Sequence, residues 1–492
     1  MTILDRKNLD PQDQSIQDLL EQLQGNILKG HGRDHTVHIF FRFTGDPKES
    51  GALITDLAAH VTSANRQRQD TVASRGDGPK SLPFCNLFLT FKGYKGLGYS
   101  ESELIRAFPE TPRGPDRVEP QVKFVNGMAF HQAHLADPRI GEWEKGYADP
   151  KADTKQVIDG MVLLANDDLR RLDDHEQTIL RTLGKRAEML VTERGRALFN
   201  EDRSQNLEHF GYVDGRSQPI FFQEDFETED MKGGTGEWDP SEPLGLVLVP
   251  DGLAPDNEKQ TSFGSYFVFR KLEQNVKGFK TKEKELAESL GFEGEEAELA
   301  GALAVGRFED GTPVVLQDSD GLRSPVPNNF RFDRQDRDGL KCPFHAHIRK
   351  VNPRGETNPG DERLEVERSH RIARRGITYG ERSVEPKDDP DENSLPEKGV
   401  GLLFMCFQAN IDNQFAYLQR RFANNPDFIR PGTGIDPVIG PLSAGESCPQ
   451  KWSVKWGNQG SKSFNFPSFV KLLGGEFLFA PSIAFLKKPL RS

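Results

Sequence analysis

The chain has 492 residues and a formal net charge of -12, with 28% charged and 35% hydrophobic residues. A chain of this length predicts two or three domains and can bury a large core. The excess of acidic residues argues against a nucleic acid partner, because nucleic-acid binding depends on clustered cations.

The N-terminal segment MTILDRKNLDPQDQ has neither a basic start followed by an apolar run nor a small-residue cleavage site, so no signal peptide is predicted. No apolar stretch approaches the roughly 20 residues that span a bilayer, and no membrane partner is expected. The cysteines show no CxxC spacing, and their use suits a reducing compartment. A cytoplasmic location is therefore expected.

The first half of the chain alternates strand and helix patterns. Alternation and runs of β-branched or aromatic residues predict strands at residues 35 to 43, 85 to 94, 127 to 135 and 160 to 166. Helical spacing follows the first strand in residues 51 to 69 and the fourth in residues 167 to 185, where an Asp or Asn caps the start. This order suits an antiparallel sheet covered by helices on one face.

The second half repeats this arrangement. The same patterns predict strands at residues 244 to 250, 265 to 272, 347 to 351 and 401 to 411, followed by a helix at 412 to 425. Residues 279 to 303 look inserted and predict charged, solvated helices, and residues 353 to 370 and 380 to 398 predict polar loops. The predicted fold class is α+β, with antiparallel sheets flanked by helices.

Three short stretches carry a complementary set of side chains. FGYVDGRSQP offers the carboxylate of Asp214, CPFHAHIRKVNPR offers the imidazole of His347, and RIARRGITYG offers the guanidinium of Arg374. An axial base, a proton carrier and a fixed cation are what a haem enzyme needs to split a peroxide. A nearby Arg also lowers the pKa of a carboxyl, which keeps that carboxyl able to accept a proton.

Each of these residues has a simpler interpretation. Asp214, between glycines, could be a turn or helix-cap carboxylate. His345 would face the same side as His347 if this segment is a strand, so it is the alternative imidazole. Arg374 and Arg375 are adjacent, and we expect one of them to face the site and the other to face away from it or toward a cofactor carboxylate.

The three stretches resemble those of the dye-decolourising peroxidases. The GxxDG signature of that family corresponds to residues 211 to 215, its proximal-histidine segment to AHIRKVNPR, and its distal-arginine segment to RRGITYG. Many relatives have Pro where this chain has Thr378, a difference that affects backbone stiffness more than chemistry. Similar segments extend along nearly the whole chain, in the family's order: QGNIL, GSYFVFRKLEQNV, GLLFMCFQANI and GGEFLFAPS.

The resemblance implies a fold and a cofactor. The fold would consist of two ferredoxin-like halves, residues 1 to 205 and residues 206 to 492, with haem b bound in the second half. Because the chain has no CxxCH motif, the haem is expected to be held without thioether bonds.

The resemblance also implies roles for the site residues. His347 would ligate the iron, Asp214 would move the proton within bound peroxide, and Arg374 would position peroxide and contact a haem propionate. Phe404 falls where the family has an apolar wall over the peroxide side, and its pattern equally fits a core strand residue. Asp412 falls where relatives often carry an acid and is the candidate hydrogen-bond partner of His347. The alternative for Asp412 is a helix N-cap.

The implied function is a peroxidase that reduces hydrogen peroxide and oxidises bulky organic donors, such as anthraquinone dyes, in one-electron steps. Dyes too large for a buried pocket would require electrons to travel through the protein, with Tyr379 and Tyr417 as candidate relays or, alternatively, as packing residues. The alternative function is a haem-binding or haem-handling protein with incidental peroxidase activity. That protein would need His347 but not both Asp214 and Arg374.

Overall fold

The fold is built around an antiparallel sheet that contains ten strands within the described residues. The computed structural model describes residues 2–74, 82–108, 123–149, 154–322, 326–357, 364–388, 391–442 and 446–490. A two-residue strand, Val249–Pro250, pairs with β5 (Phe263–Gln274). The other strands are β1 His35–Phe43, β2 Phe84–Leu89, β3 Gly160–Asn166, β4 Ala187–Arg196, β6 Ala373–Arg374, β7 Ile377–Tyr379, β8 Gly401–Gln408 and β9 Val470–Ala480.

The sheet consists of two ferredoxin-like units joined edge to edge. Across the sheet, the first unit has the order β2-β3-β1-β4 and the second has β6/β7-β8-β5-β9. With β6 and β7 taken as one interrupted strand, both units follow the same βαββαβ pattern and the same strand order. β9 pairs with β2 through Phe479 and Leu89, which joins the units. The predicted α+β class with paired ferredoxin-like halves is confirmed, and the boundary after residue 205 stays a prediction.

Buried aromatic rings fasten the two units together. Phe88 on β2 stacks on Phe267 of β5 with ring centroids 4.2 Å apart, and Phe267 contacts Phe407 of β8 at 4.8 Å. All three side chains are fully buried. Such ring pairs contribute about 0.5–1.5 kcal/mol beyond the burial of their surface. The junction therefore depends on side-chain packing as well as on strand pairing.

The helices begin at caps that the sequence supplies. Asp46, Asp168 and Asn275 each accept a hydrogen bond from an amide of the first helical turn, which satisfies donors that a helix leaves unpaired. The α-helices are Gln14–Gln22, Pro47–Ala58, Ala64–Ser74, Phe91–Gly96, Glu101–Ala107, Lys123–Asn126, Gln132–Leu135, Leu169–Leu183, Gln223–Gly233, Val276–Leu290, Glu298–Val305, Phe332–Gln335, His347–Val351, Leu364–Arg368, Phe415–Tyr417 and Ile483–Lys487.

Short strands lie outside the main sheet. They pair as Ala148–Asp149 with Thr154–Lys155, Leu198–Phe199 with Asn206–Leu207, Asn206–Leu207 with Val213–Asp214, and Gln450–Ser453 with Ser461–Phe464. In the described part of the chain, no helix combines the length and the apolar character needed to cross a membrane.

The strand predicted at 127 to 135 is wrong. Met128–His131 forms a 3-10 turn that continues into the helix Gln132–Leu135. Its apolar residues follow helical rather than alternating burial, with Phe130 63% exposed between buried neighbours. The strand predicted at 85 to 94 is confirmed only as far as Leu89, because the Thr90 side chain caps the next helix.

The strand predicted at 347 to 351 is also wrong, because this segment is the helix His347–Val351. The amides of Arg349 and Lys350 both donate to the carbonyl of Ala346, at 3.0 and 2.9 Å. The side chains of the neighbouring residues Arg349 and Lys350 are both buried, and each bonds to polar groups of a different loop. An alternating pattern of buried and exposed side chains, which a strand would show, is therefore absent here.

Other predicted elements differ in extent. The helix predicted at 51 to 69 is two helices, Pro47–Ala58 and Ala64–Ser74. The helices predicted within 279 to 303 are confirmed, but Glu298–Val305 is buried rather than exposed to solvent. The strand predicted at 244 to 250 is a 3-10 turn, Leu244–Leu246, followed by Val249–Pro250. The helix predicted at 412 to 425 begins at Phe415 and continues as a π-helical turn, Leu418–Ala423.

Candidate active site

The three motifs meet at a cavity of about 920 Å³. Asp214, His347, Arg374 and Phe404 all line this cavity. They come from the short strand Val213–Asp214, the start of a helix, β6 and β8, so distant parts of the chain converge here. Cofactor pockets typically have volumes of about 300–1,000 Å³. The cavity is therefore large enough for a cofactor, and residues 136–139 of the first half form part of its wall.

His347 is held by a buried carboxylate. Its Nδ1 lies 2.8 Å from Oδ2 of Asp436, and Oδ1 of Asp436 accepts hydrogen bonds from the amides of Val438 and Ile439 at 2.8 and 3.0 Å. Burial alone would raise the pKa of Asp436, but the contact with His347 and these amides hold it below its ordinary value. An ionised Asp436 fixes Nδ1 of His347 as a donor and leaves Nε2 as an electron-pair donor.

Asp412 is not the partner of His347, contrary to the expectation from the sequence. Asp412 forms an ion pair with Lys123 at 3.1 Å, its side chain is 46% exposed, and it does not line the cavity. It does not cap the following helix either, because Gln414 occupies that position. The partner is Asp436, 89 residues beyond His347. No spacing in the sequence connects Asp436 to His347, and the Asp-Pro pair there suggests only a turn.

His345, the alternative imidazole, faces elsewhere. Its ring packs edge-on against Trp452 with centroids 4.3 Å apart, and the side chain is buried and does not line the cavity. Burial lowers the pKa of His345 to about 3. The two histidines would share a side only in a strand, and the turn before the helix separates them.

Asp214 and Arg374 form an ion pair at the cavity wall. Nη1 of Arg374 donates to Oδ1 of Asp214 at 3.0 Å, and Nη2 donates to the carbonyl of Arg216 at 2.9 Å. The backbone amide of Arg374 donates to Oε1 of Gln218 at 3.1 Å. Gly215 has a φ of +79°, a conformation that favours glycine in the turn beside Asp214. The guanidinium is therefore fixed at two points, and Oδ1 of Asp214 is the carboxylate oxygen that it contacts.

Arg375 binds backbone carbonyls near the N-terminus and does not line the cavity. Its Nε and Nη2 donate to the carbonyls of Asn26 and Ile27 at 2.6 and 2.8 Å. Burial lowers the pKa of Arg375 to about 10, with a contribution from the charge of Arg374. Of the two adjacent arginines, Arg374 is the one that lines the cavity.

An apolar wall faces the ion pair. Phe404 is half-buried on β8, and its ring lies 6.1 Å from that of Phe415. Burial of such side chains excludes water and strengthens nearby electrostatic interactions. Other apolar residues that line the cavity include Val305, Ile372, Leu402, Leu418 and Leu472.

A group of buried arginines forms another side of the cavity. Nη2 of Arg307 and Nη2 of Arg354 both donate to Oδ1 of Asn328, at 3.0 and 2.6 Å, and neither arginine forms an ion pair with a described residue. Burial and neighbouring arginines lower the pKa of Arg307 to about 9 and that of Arg354 well below its usual range. Arg371 also lines the cavity, with a buried Nη2 that has no partner among the described residues. Anionic groups of a ligand would satisfy these cations.

These features fit an iron porphyrin. The imidazole Nε2 suits a metal, the apolar wall suits a flat aromatic ring system, and the buried arginines suit its carboxylates. Arg354 ends the AHIRKVNPR stretch and Arg371 begins the RIARRGITYG stretch, but the motifs alone give neither residue a role. Arg307 lies in none of the three motifs.

The two candidate relay tyrosines occupy different surroundings. Tyr417 is half-buried and stacks on His370 with ring centroids 3.9 Å apart, next to Leu418 in the cavity wall. Tyr379 is buried on β7, with Nζ of Lys271 5.0 Å from its ring centroid, and does not line the cavity. Both relay roles stay predictions.

The comparisons with known proteins agree with the fold. The family model for the C-terminal part of Dyp-type peroxidases matches residues 230–430. Multifunctional dye peroxidase DyP2 of Amycolatopsis sp. (strain ATCC 39116 / 75iv2) is 43% identical over 484 residues, which cover 95% of each protein. A dye-decolorizing peroxidase of Mycena epipterygia is 32% identical over 500 residues, which cover 94% of this chain and 86% of that protein.

Solved structures show the same relationship. DyP2 from Amycolatopsis sp. ATCC 39116 has a TM-score of 0.87 at 40% identity, covering 98% of this chain and 99% of that chain. The DyP-type peroxidase AnaPX of Anabaena sp. has a TM-score of 0.84 at 39% identity, covering 96% and 95%. The fold is that of a peroxidase. The chain belongs to the dye-decolourising, or DyP-type, peroxidase family, and it is a hydrogen-peroxide-dependent peroxidase.

Proposed function

We propose that the cavity would hold haem b without a covalent bond and that Nε2 of His347 would bind its iron. The observation that supports this most directly is that His347, which Asp436 holds in place, lines the same cavity as the Asp214 and Arg374 pair. Bound haem would supply the iron centre for peroxide cleavage and for one-electron oxidation of donors.

On the ligand side, Asp436 sets the character of His347. A carboxylate that accepts the Nδ1 proton fixes the ring orientation and makes Nε2 more electron-rich. The two amides that bind Asp436 hold the carboxylate in place. His347 is then a strongly donating ligand, which favours heterolytic cleavage of an O–O bond.

On the peroxide side, Asp214 moves a proton and Arg374 supplies a fixed charge. Oδ2 of Asp214 accepts a proton from one peroxide oxygen and returns it to the departing oxygen. The guanidinium 3.0 Å from Oδ1 stabilises negative charge on the departing oxygen. Phe404 and its apolar neighbours exclude competing water.

The buried arginines orient the cofactor. Arg307 and Arg354 share the carbonyl oxygen of Asn328 and have room for an anionic partner, and Arg371 has an unpartnered Nη2. We assign these groups, together with Arg374, to the haem carboxylates. Burial of Arg307 and Arg354 is unfavourable without a counter-charge, whereas Arg371 is paired with Glu242 and contributes its remaining Nη2.

The donor range includes bulky dyes and phenols. A dye-decolorizing peroxidase with 26% identity and a TM-score of 0.71 was solved as a complex with 2,6-dimethoxyphenol. We extend phenolic donors to this chain on that basis. The names of two relatives as dye peroxidases support dyes as donors, and we propose anthraquinone dyes as one class of them.

The test compares D214N and R374L with the wild-type holoenzyme in a stopped-flow reaction with equimolar hydrogen peroxide. The peroxide-dependent change of the Soret band should slow roughly 10²–10⁴-fold in D214N and roughly 10²–10³-fold in R374L. D412N, which changes a carboxyl outside the cavity, should react like the wild type. An unchanged rate in D214N or R374L removes the role of that residue. A Soret band without any reaction in the wild type would favour the haem-handling alternative.

A further inference from the structure

A second carboxyl lines the cavity beside Asp214. Glu208 lies at the start of the turn that leads to Asp214, and both side chains contribute to the cavity wall. Oε1 of Glu208 accepts from the amide of Tyr212, and Oε2 accepts from the amide of Phe210, each at 3.0 Å. The backbone amide of Glu208 also donates to the carbonyl of Tyr212 at 3.0 Å. Glu208 therefore closes the turn that presents Asp214.

Glu208 also holds a glutamine from the sheet. Nε2 of Gln274, the last residue of β5, donates to Oε2 of Glu208 at 2.5 Å. Gln274 is buried and lines the cavity, and its Oε1 has no hydrogen-bond partner among the described residues. A buried amide oxygen without a donor is unfavourable unless a bound molecule or water supplies one. In the state that the structure shows, this oxygen therefore lacks a donor.

The electrostatic surroundings place the ionisation of Glu208 near neutral pH. Burial, with a contribution from the charge of Asp214, raises the pKa of Glu208 to about 7 against the opposing effect of its hydrogen bonds. The charged groups that act on Glu208 are Asp214 and Arg382, whose Nη1 donates to the carbonyl of His209 at 2.8 Å. β5 contributes the neutral Gln274.

We propose that Glu208 is a positioning residue for Asp214 and that its protonation re-pairs the side-chain amide of Gln274. This inference rests on the proposed peroxide chemistry. Ionised Glu208 accepts from Nε2 of Gln274, which leaves Oε1 without a donor. Protonated Glu208 is a donor, and rotation of the amide by half a turn lets Oε1 accept that proton.

The two states have different consequences for peroxide cleavage. Ionised Glu208 adds a second negative charge beside that of Asp214 and so opposes the stabilisation that Arg374 provides. Protonated Glu208 adds no such charge. The reaction with peroxide is therefore faster with Glu208 protonated.

The kinetic test measures the reaction of the holoenzyme with equimolar peroxide between pH 4.5 and 9. The wild-type rate should fall roughly tenfold as pH rises through about 7. E208Q should lose this step. E283Q is the matched control, because Glu283 is a buried carboxyl that contacts the Tyr212 hydroxyl of the same turn without lining the cavity. E283Q should keep the step.

Q274L tests the amide separately. Loss of the Nε2 donor removes an interaction that favours ionised Glu208, so the step should move to higher pH by roughly one unit. A step that remains in E208Q, or a midpoint that does not move in Q274L, overturns the proposal.

Thermal unfolding gives a second measurement that does not depend on peroxide. The folded pKa of Glu208 lies above the unfolded value near 4.5, so its contribution to stability is full below that value and is lost as pH rises through about 7. The melting temperature of the wild type should therefore fall relative to that of E208Q between pH 5 and pH 8. A constant difference contradicts the proposal. A protein that shows this pH-dependent difference but no peroxide reaction at any pH would contradict the proposed function instead.

Discussion

Asp436 has no exposed surface and receives hydrogen bonds from one imidazole and two backbone amides. At the scale of the residue, Asp436 sets the position of the Nδ1 proton of His347 and the electron density at its Nε2. A neutral partner would leave the Nδ1 proton less firmly placed and Nε2 less electron-rich. The pairing therefore controls both the binding of a metal and the strength of the ligand.

We expect D436N to bind haem roughly 10–100-fold more weakly than the wild type, because the ligand loses the carboxylate that orients it. Titration of the apoprotein with haemin, followed by the Soret absorbance, gives the affinity. D412N is the matched control and should bind haem like the wild type. Equal loss in both variants would contradict the assignment of Asp436.

The sequence motifs identified the residues that line the cavity better than the residues that hold them in place or bind the cofactor from elsewhere in the chain. Asp214, His347, Arg374 and Phe404 lie within continuous stretches, and all four line the cavity. Asp436 could not be identified in this way, since its contact with His347 depends on how a distant loop folds. Arg307 and Arg354 pose the same difficulty, because only the fold brings them to the shared oxygen of Asn328.

At the scale of the element, the helix His347–Val351 is tied to the loop before Asp436 by Lys350. Its Nζ donates to the carbonyls of Asn425, Phe428 and Gly434 at 2.8, 2.9 and 2.6 Å. Burial lowers the pKa of Lys350 to about 8. One ammonium group thus fixes the distance between the helix that carries His347 and the loop that carries its partner.

We expect K350M to lower the free energy of unfolding by about 2–4 kcal/mol, because the buried carbonyls lose their shared donor. Denaturant titration measures this change. K487M, at an exposed lysine at the end of the helix Ile483–Lys487, should stay within about 0.5 kcal/mol of the wild type. A loss of stability in K350M no larger than that in K487M would contradict the role of Lys350.

The long strands of the sheet could be predicted because their apolar residues alternate or run continuously over many positions. β1, β3, β5 and β8 all lie where these patterns placed them. The segments at 127 to 135 and 347 to 351 are too short for periodicity to separate strand from helix. Their conformation depends on partners far along the chain, such as the Glu476 carboxylate that accepts from the amide of Met128 at 2.8 Å.

At the scale of the whole molecule, the cavity belongs to both ferredoxin-like units. Most of its wall comes from the second unit, and residues 136–139 of the first half complete it. Arg270 on β5 forms an ion pair with Asp137 at 2.5 Å, which ties this segment to the sheet of the second unit. A ligand in the cavity therefore contacts both halves of the chain.

We expect removal of haem to destabilise the protein by about 2.7 kcal/mol relative to a sample with free haem at 100 times its Kd. Calorimetry of the apoprotein and holoenzyme measures this difference. Hydrogen exchange followed by mass spectrometry should show faster exchange in residues 136–139 and 347–351 of the apoprotein, and little change in β1 and β3, which do not line the cavity. Faster exchange throughout β1 and β3 would indicate global loosening instead.

β9 follows all the other strands of the sheet along the chain, yet it lies between β5 and β2 and places Leu472 in the cavity wall. A nascent polypeptide on the ribosome would therefore hold the complete sheet of the first unit and an incomplete sheet of the second, each with an open edge, until translation reached residue 480. Cofactor uptake should accordingly be a late, largely post-translational event, because the compartment closes only when this final strand threads between its neighbours.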